Sequence, residues 1–365
     1  MIRFALAFLL LAATPATAQP VFAPAPTPAK VWPGQTEGDF TVKDFRFQTG
    51  ETLPELRLHY MTLGTPRRNR AGDIDNAVMV LHGTGGTGQQ FLRPQFADEL
   101  YGPGQPLDLA KFYVILPDSI GHGKSSKPSD GLRMKFPKYD YQDMVAAQHA
   151  LLTGGLKVKR LRLLMGTSMG CMHDFVWGTT YPGFARAIMP TACQPVQIAG
   201  RNRMWRKMSI DAIMADPAWM GGNYTAQPAA GLRTAAVLSA MAGSAPARQQ
   251  ADYPTRAAAE TAIAGAIERA VADGDANDII YRLDSSRTYD PSGKLGLITV
   301  PVTWINSADD FINPPGLGIA EAMVGRMPNA TFRMVPETPD GRGHSTHTWA
   351  KFWKDDLVAL LKRSE

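Results

Sequence analysis

Only two cysteines, Cys171 and Cys193, occur in the 365 residues. So few exclude a disulfide-built scaffold, and their spacing matches no zinc-ligand pattern. Two readings stay open: a pair formed in an oxidising compartment, or two small core residues. Long apolar runs are also scarce. Beyond residues 4–13 no stretch approaches the ~20 apolar residues a spanning helix needs, so no stable membrane insertion is expected. Charge is not concentrated either: the net +5 is diffuse. The nearest thing to a basic patch, Arg201-Asn202-Arg203-Met204-Trp205-Arg206-Lys207, reads as a solvated helix face, and nucleic acid is not an expected partner. Internal repeats are absent as well, which excludes a solenoid.

What is present begins with Met1-Ile2-Arg3, an apolar run at 4–13 and Ala16-Thr17-Ala18 before Gln19. This is the order of a secretory signal peptide with an A-x-A cleavage site, assigned to residues 1–18. A soluble, exported protein, periplasmic or secreted, is the expectation. Residues 19–37, rich in Pro, Ala and Thr, read as an extended, weakly ordered leader. The remainder divides by pattern into a first core part at 38–194, a helical insertion at 195–290 and a second core part at 291–365.

Strand patterns at 40–48 and 53–63, punctuated by Gly50 and Gly64, suggest an antiparallel start. The runs at 76–81, 112–116 and 161–165 are largely apolar, as strands buried on both faces are, and 185–189 reads as another strand. A helix at about 143–152, stopped by Gly154-Gly155, precedes the third run, and another starting at Cys171 follows it. Strands alternating with helices imply an α/β fold around a mostly parallel sheet. Strand signal then vanishes until 300–305. Ala-rich helical patterns fill the gap, notably 257–271, where Ile263, Ile267 and Val271 recur at one-turn spacing. The insertion reads as a helical cap. A helix at 316–324, a strand at 330–335 and a last helix at about 349–362 complete the chain.

Gly166-Thr167-Ser168-Met169-Gly170 is a G-x-S-x-G between a strand run and a helix run. A strand, a sharp turn and a helix lift a serine hydroxyl out of the sheet. That hydroxyl is a poor nucleophile until a histidine takes its proton and a carboxylate orients the histidine. In this arrangement the order is Ser, then Asp or Glu, then His, each after a strand. Asp309 and Asp310 follow the strand ending at 305, and His344 follows the strand ending at 335. Position favours Asp310, with Asp309 competing. His347 is a rival base, better placed to cap or pack the last helix, while His122, His149 and His173 read as ordinary polar residues. The oxyanion formed on attack needs preorganised N–H donors, expected from Met169 and Thr84.

Two phosphate patterns compete with this reading. Gly83-Thr84-Gly85-Gly86-Thr87-Gly88 formally satisfies G-x-G-x-x-G, but its candidate acid, Asp118, lies thirty residues beyond Gly88. Gly123-Lys124-Ser125 mimics a P-loop ending, yet Asp118 stands where the first glycine is required. Nothing calls for a cofactor or a metal.

The elbow residues 166–172 with Trp177 resemble those of the homoserine O-acetyltransferase family of α/β-hydrolases. Phe136-Pro137, Asp143-Met144-Val145, Gln148, Asp216-Pro217, Gly222, Tyr224, Gly231-Leu232, and Asp310 with Pro314-Pro315 also match that family's pattern. The resemblance implies an α/β-hydrolase fold, a helical cap and a triad on Ser168, Asp310 and His344. The chain departs at Thr167 and Cys171, where the acyltransferases usually have glycine, at Gly343-His344-Ser345-Thr346, and at Ala236, where an arginine is expected. The expected activity is therefore serine hydrolysis of a small-molecule ester or amide, with O-acyl transfer as the alternative. A non-catalytic binding protein or a dinucleotide-binding oxidoreductase is the reading from another class. A homodimer stays open.

Overall fold

The computed structural model describes residues 30–365, so the assigned signal peptide and residues 19–29 of the leader lie outside the described residues. Eight strands form one sheet in the order β1-β2-β4-β3-β5-β6-β7-β8. β1 (Thr36–Arg46) and β2 (Thr52–Leu63) form the antiparallel start expected, and β2 pairs antiparallel with β4 (Tyr113–Pro117). From β4 onward, β3 (Ala77–Leu81), β5 (Leu163–Thr167), β6 (Ile188–Thr191), β7 (Val302–Ser307) and β8 (Ala330–Val335) are all parallel.

The apolar runs follow from helices on both faces. Ala77, Met79 and Leu81 of β3 face α2 (Tyr141–Ala150) and α3 (Met169–Thr180); Val78 and Val80 face α1 (Pro94–Leu100) and α10 (Lys354–Arg363). Alternate residues of one strand thus enter two cores. Each fully buried side chain, such as Leu100 or Leu357, contributes about 2 kcal/mol by leaving water.

Three expectations need correction. The end of the leader is packed, not weakly ordered: Trp32 is buried edge-on against Tyr101, Lys30 pairs with Asp98 at 2.8 Å, and β1 starts at Thr36. β6 is shifted toward the C-terminus and runs through Pro190, a residue that argues against an inner strand. Donors on either side carry the ladder, with Ile188 N bonding Pro301 O at 3.1 Å and Ala192 N bonding Ile305 O at 2.8 Å. The last helix begins at Lys354, after a separate 3-10 turn at Ala350–Phe352.

Between β6 and β7 lie α4 (Gly200–Ala215), α5 (Ala229–Ala242), α6 (Pro246–Asp252), α7 (Arg256–Ala272) and α8 (Ala276–Asp284). α4 packs on α5 and α8, and α7 packs on α5. The stripe expected on α7 is only partly used: Ile267 and Val271 are half-buried, while Ile263 is 38% exposed. Polar contacts tie this segment to the loop before α2. Ser129 bonds both oxygens of Asp278 (2.9 and 2.7 Å), and Arg287 bonds the carbonyls of Tyr139 and Lys138 (2.8 and 2.9 Å). A short helix, α9 (Ile319–Val324), separates β7 from β8.

Of the two readings of the cysteines, the structure shows the pair: Cys171 on α3 and Cys193 after β6 form a buried disulfide with a sequence separation of 22. Replacing both by alanine is expected to lower the unfolding free energy by about 3 kcal/mol, because a loop of this length is released in the unfolded chain. Denaturant unfolding of the double variant would measure it. An unchanged midpoint would show that the crosslink constrains little.

Candidate active site

Register brings the loops together. Leu81 lies beside Gly166, Thr167 beside Thr191, and Ser307 beside Val335, so the C-terminal ends of β3, β5, β7 and β8 open on one edge, where such sheets gather their sites. Ser168 follows β5 with φ 55° and ψ −109°, a conformation costly for a residue with a side chain. Two glycines make the turn feasible. A side chain at Gly166 would collide with the Gly170 carbonyl, and one at Gly170 with the Leu81 carbonyl. Thr167 is buried and accepts from Gln90 Nε2 at 3.1 Å, which accounts for a hydroxyl at that position.

Ser168 Oγ is 2.8 Å from His344 Nε2, and His344 Nδ1 is 2.8 Å from Asp310 Oδ2. An ionised carboxylate only accepts, so His344 donates from Nδ1 and Nε2 is free to accept the serine proton. Asp310 also accepts from Ile312 N (2.8 Å), Asn313 N (3.1 Å) and Asn313 Nδ2 (3.0 Å). Burial pushes its carboxyl up, but His344 and the bonds from His344 and Asn313 together outweigh this and hold it below the ordinary value. Asn313 in turn donates to Ala192 O at 3.0 Å. The sequence reading missed it; an amide three residues after the acid was the available signal.

The adjacent aspartates have different partners. Asp309 Oδ2 accepts from Gly343 N at 2.7 Å, which holds the histidine loop rather than the imidazole. His347 packs on the His344 ring and donates from Nδ1 to the His344 carbonyl. Burial, with His344 alongside, pushes it down to about 3, so it is neutral at ordinary pH. His149 stacks on Tyr181, and His173 packs edge-on against Tyr141.

Met169 directly follows the serine, and Thr84 belongs to the loop after β3. Met169 opens α3, so its amide is one of the donors a helix start leaves without an intrahelical partner. Gly83 comes so close that an added side-chain carbon would lie 3.3 Å from Ser168 Cβ. His122 faces two carbonyls, Thr84 O from Nε2 at 2.8 Å and Ile120 O from Nδ1 at 3.0 Å, of which a neutral ring donates to one, and His82 Nδ1 donates to the Gly83 carbonyl at 2.8 Å while Nε2 accepts from Ser119 N at 3.0 Å. Burial lowers the proton affinity of both rings, keeping them neutral braces. The glycine-rich loop leads into a 3-10 turn at Gly88–Leu92 instead of an α-helix. Asp118 accepts from Gly88 N (2.8 Å) and Lys124 N (2.9 Å), so both phosphate-like patterns are joined as loop bracing.

Ser168 and His344 open into a cavity of about 400 Å³, within the range of small-molecule sites. Apolar residues from the β7–α9 connection form one side, and the first turns of α4 form another. The solvated-face expectation for 201–207 holds at Arg201, Met204 and Lys207, which are exposed, but is corrected at Arg206, which is buried and lines the cavity with Arg201 and Asn202. Among the described residues no helix is long and apolar enough to cross a membrane, and no cluster of three or more His, Cys, Asp or Glu is arranged to hold a metal ion.

Residues 76–340 match the family model described as alpha/beta hydrolase fold. A homoserine O-acetyltransferase of Moorella thermoacetica is 37% identical over 209 residues, which cover 52% of this chain and 53% of that protein. The chain thus spans about half the length of that curated relative. An acetylester hydrolase from Corynebacterium glutamicum superimposes with a TM-score of 0.78 at 20% identity, covering 90% of this chain and 96% of that one. A homoserine O-acetyltransferase from Bacillus anthracis has the same TM-score at 21% identity, covering 90% and 98%. At such identities these two structures establish a shared fold. With the matched model spanning most of the sheet and including Ser168 and Asp310, the chain belongs to the α/β-hydrolase fold family.

Proposed function

We propose that the protein is an exported serine hydrolase that cleaves a small-molecule ester or amide through an acyl-Ser168 intermediate. The observation that carries this reading is the hydrogen-bonded chain Ser168–His344–Asp310 opening into the cavity. His344 takes the serine proton as Oγ attacks the substrate carbonyl, then returns it to the leaving group; Asp310 orients the imidazole and stabilises its charged form. The Thr84 and Met169 amides receive the oxyanion, a contribution of about 3 kcal/mol per donor in such sites. Water, deprotonated by His344, then releases the acyl group. The helices at 200–284 act as a cap over this chamber.

The buried disulfide supports an oxidising compartment and so the assigned signal peptide. The departures at Thr167, Cys171 and Ala236 support water over an alcohol as acceptor. Similarity to homoserine O-acetyltransferases supports a second reading, in which an alcohol replaces water in the same second step. Turnover of a short-chain p-nitrophenyl ester, with product analysis in the presence and absence of homoserine, separates the two. Free acid is expected as the main product under both conditions. Acyl-homoserine dominating over free acid would reverse the choice.

A further inference from the structure

Arg206 lies where a charged side chain is costly. It is 2% exposed on α4, while Met204 and Met208 of the same helix are 63% and 49% exposed, the reverse of burial by hydrophobicity. Its Nε donates to Asn202 Oδ1 at 3.0 Å, but its Nη1 is buried with no hydrogen-bond partner. The groups around the guanidinium are Tyr141, Arg203, Asn202 and the Trp205 ring, none of them a carboxylate. The nearby acid Asp284 is engaged by Arg203 at 3.1 Å. A guanidinium remains protonated in proteins, so this burial carries a desolvation cost that the Asn202 amide and the neighbouring Tyr141 hydroxyl, both neutral, only partly offset. Such a charge calls for an anion.

The cavity says where the anion comes from. Arg206 lines the same chamber as Ser168 and His344, Arg201 lines it too, and no Asp or Glu does among the described residues. Arg201 lies over the Phe311 ring and donates to the Phe311 carbonyl, and because it is exposed, water can meet its remaining donors. Arg206 is the buried cation lining this chamber, and its Nη1 has no hydrogen-bond partner. Resting on the acyl-Ser168 reading, we propose that Arg206 anchors a carboxylate carried by the substrate, which makes the preferred substrate class small esters bearing an anionic group. A carboxylate matches the planar fork of a guanidinium and satisfies the idle Nη1.

The carboxylate can sit on the acyl or on the alcohol portion. Monomethyl succinate carries it on the acyl side and acetoxyacetate on the alcohol side; dimethyl succinate and 2-methoxyethyl acetate are their neutral counterparts. The wild-type enzyme is expected to prefer one anionic ester over its neutral counterpart by at least about tenfold in kcat/KM, and the preferred member identifies the side. Arg206→Met is expected to lower kcat/KM for that ester about 100-fold, mainly through KM, with a smaller loss on the neutral ester and partial recovery in Arg206→Lys. Equal losses on charged and neutral esters, or a wild-type enzyme indifferent to charge, would overturn the proposal. Calorimetry on Ser168→Ala protein reads the same site without relying on Arg206 variants folding or on turnover: the anionic ester should bind at least about tenfold tighter than the neutral one, and equal binding counts against the proposal. If the anion binds but no ester is turned over, the hydrolase reading falls and the anion site stands. If neutral esters are hydrolysed without anion binding, the reverse holds.

Discussion

Ser168→Ala is expected to lower turnover of an activated ester by ~10⁶-fold, the scale seen when a triad nucleophile is removed. The substitution deletes one atom, Oγ, whose hydrogen-bond partner is His344 Nε2 at 2.8 Å. His344 and Asp310 keep their own bond, but the base has no hydroxyl left to activate. The fold should be unchanged, because alanine meets the same strain at φ 55° as serine and the colliding contacts belong to Gly166 and Gly170. Identical circular dichroism with lost turnover is the expected pair of results. A fluorophosphonate should label Ser168 in the wild-type protein and nothing in the variant. Intact wild-type protein that resists labelling would remove the hydrolase reading and leave a binding protein.

The second large effect separates neighbours. Asp310→Asn is expected to cost ~10⁴-fold in kcat, since an amide turned toward Nδ1 can donate as well as accept and so favours the tautomer with Nε2 protonated, unable to take the serine proton. Asp309→Asn should stay within about tenfold, because the amide oxygen can still accept from Gly343 N, a single bond of modest net value. Steady-state kinetics on both variants give the ranking. If Asp309→Asn proves the more damaging, the acid has been assigned to the wrong neighbour.

Much of this site was legible in the chain because its chemistry follows local rules. Parallel strands buried on both faces announce themselves as apolar runs, and loops after such strands share an edge. The elbow residues and His344 were therefore found from spacing and order alone. Other parts were not legible. Asp309 and Asp310 have the same side chain at adjacent positions, and only the course of the loop after β7 decides which one meets the imidazole. His122 looked ordinary because one of the carbonyls it faces, that of Thr84, is 38 residues away.

Arg206, within the otherwise largely solvated basic run at 201–207, is the clearest failure of local reasoning. Helix periodicity can group Asn202 with Arg206, but it cannot say which face meets solvent, since that depends on α5 and α8 packing against α4.

By itself, then, the sequence determined the alternation of strands and helices, the glycine-framed turn at Ser168 and the order in which the candidate nucleophile, acid and base occur, because each depends on backbone preference and short-range spacing. Only the tertiary structure decided that Asp310 rather than Asp309 meets His344, that Cys171 pairs with Cys193, and that Arg206 shares a chamber with Ser168. The physical reason is one of range: these relations join residues far apart in the chain, and packing alone determines which side chains lie within a few ångströms of each other.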